Sequence, residues 1–106
     1  DGLLYVQITR GADRKRSHAF PGEGVKPNVL LWVSTYPNGD PHRHERSVGV
    51  SAITHPDLRW ARRDIKTVNL LGNCIAADAA QKAGAYDALL VDDAGQITEG
   101  SHTSVF

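Results

Sequence analysis

One lysine and one glutamate of this 106-residue sequence make a pair suited to carbonyl chemistry. Lys66 lies in Asp64-Ile65-Lys66-Thr67-Val68-Asn69-Leu70-Leu71-Gly72-Asn73, where an apolar helical pattern begins, and Glu99 lies in Thr98-Glu99-Gly100-Ser101. A partly desolvated lysine amine forms Schiff bases with carbonyl groups. A carboxylate facing the same ligand would complement a protonated ring nitrogen. Spacing alone does not bring the two together. A solvated lysine and a strand-end glutamate are the commoner use of these residue types.

Three other groupings invite a chemical reading. Arg14-Lys15-Arg16-Ser17-His18 is the densest run of positive charge in the chain. Such runs are usually solvated loops, but an arginine fork also matches a carboxylate in two-point fashion, with histidine as an extra donor. It lacks the glycine pattern that cradles phosphates. His42 and His44 sit in Pro41-His42-Arg43-His44-Glu45, where flanking arginines oppose a cation, so no metal site is expected. Ser101, Thr103 and Ser104 surround His102 without a nucleophile elbow, which excludes a serine hydrolase and suits hydroxyls lining a site.

The elements that must position these residues follow from pattern. Leu3–Thr9 and Val29–Tyr36 read as strands, the second apolar enough to be central in a sheet. A charged loop, Ala12–Ser17, and a turn at Ala19-Phe20-Pro21-Gly22 lie between them. The polar, proline-bounded stretch around residues 41–47 is the best linker, dividing 1–40 from 48–106. Beyond it the pattern predicts a strand over Val48–Thr54 that stops before Pro56. A helix follows from Asn69 to Ala83, with Leu70, Ile75, Ala79 and Ala83 on its apolar stripe and Gly84 at C′. Strands at Ala85–Val91 and Gln96–Glu99 flank a turn at Asp92–Gly95. This is an α+β, or α/β, order crossing a domain boundary.

Composition narrows the class. Twelve basic and twelve acidic residues cancel, so no overall field draws nucleic acid or an anionic membrane. No apolar run reaches the roughly 20 residues of a membrane span, and the start, Asp1-Gly2-Leu3, lacks a signal-peptide pattern. The single cysteine, Cys74, offers neither a disulfide nor a metal cluster and reads as a small core residue, so a cytoplasmic protein is expected. The chain has no methionine and reads as a central piece of a longer protein.

Four ordered segments sharpen the picture. Tyr5-Val6-Gln7-Ile8-Thr9-Arg10-Gly11, Arg16-Ser17-His18-Ala19-Phe20-Pro21, Ile65-Lys66-Thr67-Val68-Asn69-Leu70-Leu71-Gly72-Asn73 and Thr98-Glu99-Gly100-Ser101 span nearly the whole chain. Together they resemble the class-IV aminotransferases, the fold-type IV pyridoxal phosphate enzymes, and within them the D-amino acid aminotransferase group. The resemblance implies a two-domain homodimer using pyridoxal 5'-phosphate to exchange an amino group between a D-amino acid and a 2-oxo acid. Lys66 would be the Schiff-base lysine and Glu99 the partner of the pyridine nitrogen. Arg16 and His18 would bind the substrate carboxylate, reaching the site from the partner subunit, and Arg59 would support the site.

The same resemblance places the phosphate anchors outside residues 1–106. It also admits neighbouring outcomes: an (R)-amine or branched-chain aminotransferase, an aminodeoxychorismate-type lyase, or an inactive assembly piece. Two departures stand out. The loop between Gly11 and Arg16 is one residue longer than the usual form. After Glu99-Gly100, His102 interrupts the family's hydroxyl run and Ser104 takes the place of its asparagine.

Overall fold

The computed structural model describes residues 2–12 and 15–106. The chain divides into two compact units, residues 1–43 and 44–106, each with its own sheet.

In the first unit, β1 (Gly2–Thr9) pairs antiparallel with β2 (Asn28–Thr35), with Tyr5 opposite Trp32 and Thr9 opposite Asn28. The β-branched and aromatic run of each strand explains its extended form. Among the described residues this sheet holds two strands, and β2, expected to be central, has a neighbour on one side. Leu31 and Val33 are 63% and 68% exposed. Apolarity on both faces of a strand reports a need for cover and not a place in the strand order. The charged loop expected over residues 12–17 falls partly on Asp13 and Arg14, which lie outside the described residues; Lys15, Arg16 and Ser17 are exposed.

A short helix, α1 (Arg43–Val48), begins at the last residue of the first unit and overlaps the stretch read as a linker. Next come β3 (Ala52–Pro56), α2 (Leu71–Lys82), β4 (Asp87–Val91) and β5 (Ile97–Gly100). The sheet order is β3-β4-β5, with β3 parallel and β5 antiparallel to β4. The β3 strand begins four residues later than expected, since Val48 closes α1. It also includes Pro56, which an edge strand tolerates because no ladder donor is required there.

Helix α2 is the crossover between the parallel strands and packs on β3 and β4. The core joins Ala76 and Ala80 of α2 to Ala88 and Leu90 of β4, with Ile53 and Ala85 against them. The predicted stripe is thus displaced: Leu70 and Ile75 are exposed, and the alanines one position after Ile75 and Ala79 face the sheet. Small residues let the helix approach closely. Gly84, with φ +69°, ends α2 as expected, and the Ala85 amide donates to the Ala80 carbonyl at 2.9 Å. Among the described residues no helix is long and apolar enough to cross a membrane.

Candidate functional site

Lys66 lies in the connection from β3 to α2, and Glu99 near the end of β5. The two line a common open cleft. One lobe, of about 190 Å³, also touches Arg59, Arg63 and Asn69. The other, of about 420 Å³, is walled by Asn73 and Cys74 of α2 and by residues 100–104. Lys66 is exposed, so its amine is accessible from the cleft. Cys74 is exposed on this wall and is not the core residue expected from its type, because α2 turns Ala76 and Ala80 inward instead.

Glu99 is held by a network rooted in Asp57, whose side chain is fully buried just beyond β3. The Arg59 guanidinium forks onto that carboxylate, Nε to Oδ1 and Nη2 to Oδ2, both at 2.9 Å. The backbone amide of Arg59 donates to Asp57 Oδ1 at 3.1 Å, closing the local turn. Thr98 donates its hydroxyl to Asp57 Oδ2 at 2.8 Å. Arg59 Nη1 then reaches across the sheet to donate to Glu99 Oε2. The hydrogen bonds from Arg59 hold the Asp57 carboxyl far below the usual range; burial opposes this, and the Thr98 hydroxyl adds to it. The same bonds to Asp57, joined by Glu99 and opposed by burial, raise the Arg59 value further. Arg59 was expected only to support the site, yet it touches Glu99 directly. Asp57 escaped the sequence reading altogether; its signal is the Asp-x-Arg spacing, which lets a turn carboxylate fork its own arginine.

A second buried carboxylate shapes the other wall. Asp87, only 3% exposed, opens β4 beneath the turn that follows Glu99. Its Oδ1 accepts from the Ala88 amide at 2.7 Å and from both the amide, at 3.1 Å, and the hydroxyl of Ser101. Its Oδ2 accepts from the Thr103 hydroxyl. Burial is the largest influence and pushes the carboxyl up. The bonds from Ser101, Thr103 and Ala88, with the charge of His102, outweigh it and bring the value down to about 2. A Cβ at Gly100 would collide with Thr103 and with Asp87 Oδ2, so only glycine lets the turn close on this carboxylate. Asn73 ties α2 to the same turn, its Nδ2 donating to the Ser101 carbonyl at 2.9 Å. The sequence signal for Asp87 was a lone acid interrupting an apolar strand.

The first unit carries the other two predicted residues. Arg16 lines a basic pocket of about 210 Å³ with Arg10, Lys15 and Phe20, and the Arg10 guanidinium lies 5.8 Å from the Phe20 ring centre. His18 is exposed and is not part of that lining. The Ala19 amide donates to the Ser17 hydroxyl at 3.1 Å, fixing the bend after Arg16.

A lysine and a restrained carboxylate on one cleft, a basic pocket and this order of elements define a class that comparison with known proteins identifies. Residues 1–106 match the family described as amino-transferase class IV, and the chain belongs to that family. Among individual relatives, it is 44% identical over 107 residues to a D-alanine aminotransferase of Bacillus licheniformis, which covers all of this chain and 35% of that protein. It is 42% identical over 107 residues to one of Staphylococcus epidermidis, covering all of this chain and 36% of the relative. It is 38% identical over 106 residues to one of Staphylococcus aureus, covering 99% of this chain and 36% of the relative. The chain therefore spans about a third of the length of these relatives.

Proposed function

We propose that the protein carrying this chain transfers an amino group between a D-amino acid and a 2-oxo acid, using pyridoxal 5'-phosphate held on Lys66. The observation that carries this is the shared cleft: an accessible lysine amine and a carboxylate fixed by an arginine line one cavity. Membership of the class-IV family supports it.

The donor set fits the cofactor. Lys66 offers a nucleophile for an aldehyde, and Glu99 offers an acceptor for a ring N–H, since Arg59 engages Oε2 and leaves Oε1 to a ligand. Pyridoxal phosphate, when bound, supplies an aldehyde that takes up the amino group and a ring that spreads the charge left by a departing α-proton. Lys66 Nζ would hold that aldehyde, and as a free amine it would act as the base that takes the substrate's α-proton onto Nζ. Glu99 would accept from the ring nitrogen, and its orientation comes from Arg59, itself immobilised by Asp57. Ser101 and Thr103 spend their hydroxyls on Asp87, which makes their turn a rigid wall.

Arg16, in its pocket with Arg10 and Lys15, is the group for the substrate α-carboxylate, with His18 as a further donor. A cytoplasmic homodimer, in which this loop serves the partner's site, completes the proposal. The test is Lys66→Ala in the intact protein, assayed with D-alanine and with L-leucine, each against 2-oxoglutarate. The variant is expected to lose both the visible absorbance of lysine-held cofactor and turnover, and retention of both contradicts the proposal. Arg16→Ala is expected to weaken D-alanine use sharply, through KM more than kcat.

A further inference from the structure

His102 stands where the family's hydroxyl run is interrupted, and the amino-transfer chemistry above leaves it without a task. Its Nδ1 lies 3.2 Å from Asp87 Oδ1 and 3.2 Å from the Ser101 hydroxyl. Its ring packs at a 45° tilt on Tyr86, with 5.4 Å between ring centres. Asp87 is buried, and the Nδ1 edge of the ring is turned toward it and the Ser101 hydroxyl. Nε2 is the opposite edge of this half-exposed ring, which lines the same cleft as Lys66. Protonated, the ring presents an N–H there to an anion. The one carboxylate in this lining is Glu99, which Arg59 already engages. The remaining polar groups of the wall include Lys66 and the Ser104 hydroxyl, both donors.

We propose that Asp87 and His102 form an oriented carboxylate–imidazole pair in which His102 is a specificity-determining residue of the Lys66 cleft, binding a second carboxylate on the substrate through Nε2. The inference rests on the amino-transfer reading for the kind of substrate, an amino acid or 2-oxo acid bearing two carboxylates. Asp87 acts as the positioning residue. It holds the turn and the ring together, so the imidazole pays little orientational entropy when an anion arrives.

The same chemistry could serve the phosphate of a cofactor, and the experiment separates the two sources. Binding of glutarate, butyrate and inorganic phosphate to the intact, cofactor-free protein is measured by calorimetry. His102→Ala is expected to weaken glutarate about 10- to 100-fold, the range for a hydrogen bond to a charged group. Selectivity for glutarate over butyrate should fall by a similar factor. Asp87→Asn should shift glutarate in the same direction, with circular dichroism confirming the fold. Unchanged glutarate binding in His102→Ala overturns the proposal, as does a loss confined to phosphate. With the cofactor present, the kcat/KM ratio of dicarboxylic to monocarboxylic 2-oxo acids gives a second readout. Should the unsubstituted protein show neither cofactor absorbance nor turnover, the amino-transfer reading fails, while the glutarate comparison still decides the role of His102.

Discussion

Arg59 binds two acids at once, and its removal would take the fork from the more deeply buried one. The Asp57 side chain is fully buried and that of Arg59 is 14% exposed, so Arg59→Ala leaves an interior charge with only the Thr98 hydroxyl and Arg63, whose Nε lies 3.4 Å from Oδ2. Losing a hydrogen bond to a charged group costs about 1.5–3 kcal/mol; a denaturant titration should show a loss of that size, and a change below about 1 kcal/mol would contradict the network. Asp87 predicts an acid limb. Its folded value of about 2 lies below the ordinary 3.8, so the unfolded chain binds more protons between those values and stability rises with pH there. The contribution, about 2 kcal/mol, is complete above pH 3.8 and lost as the pH falls through about 2. Asp87→Asn should flatten that part of the stability–pH curve; an unchanged slope would show that the carboxylate is not held as described. Lys66 and Glu99 drew notice in the sequence because their types are reactive and their neighbours patterned, but spacing did not show that they line one cleft. Asp57 and Asp87 were not, because an acid near a turn reads as solvated until the fold shows what covers it.

Among the elements, α2 shows why period alone did not identify its buried face. Large apolar residues dominate a hydropathy pattern, and they selected Leu70 and Ile75; the sheet instead selected Ala76 and Ala80, whose small side chains permit close approach. Ala76→Leu should therefore overpack the α2–β4 contact and cost about 1–3 kcal/mol, read from the unfolding midpoint, whereas a neutral result would place the core elsewhere. Gly100→Ala should be comparably damaging, since the added carbon meets Thr103 and Asp87. The strands β1, β2, β4 and β5 lay within two residues of their expected bounds, since composition and turns delimit them well. The start of β3 moved because Val48 and Val50, apolar in alternation, lie outside the strand: Val48 ends α1 and Val50 lies between that helix and β3. Alternation records side-chain type, not which neighbouring strand is present to bond.

For the whole molecule, the first unit is the more revealing. Leu4, Val6, Ile8, Leu30, Leu31 and Val33 are all more than half exposed on a two-stranded sheet, a form that is marginal alone in water. The 106-residue chain made by itself should bind a hydrophobic dye and self-associate in sedimentation experiments; a dye-silent monomer would contradict this. The helix that overlaps the polar, proline-bounded stretch was not legible, because six residues of mixed charge carry little periodic signal. The central claim is that Lys66 holds the cofactor. Borohydride reduction of the intact protein with pyridoxal phosphate, followed by peptide mass spectrometry, tests it directly. The account predicts the pyridoxyl group on the peptide containing Lys66. Its appearance on Lys15, Lys26 or Lys82 instead, or on no lysine, would contradict the account.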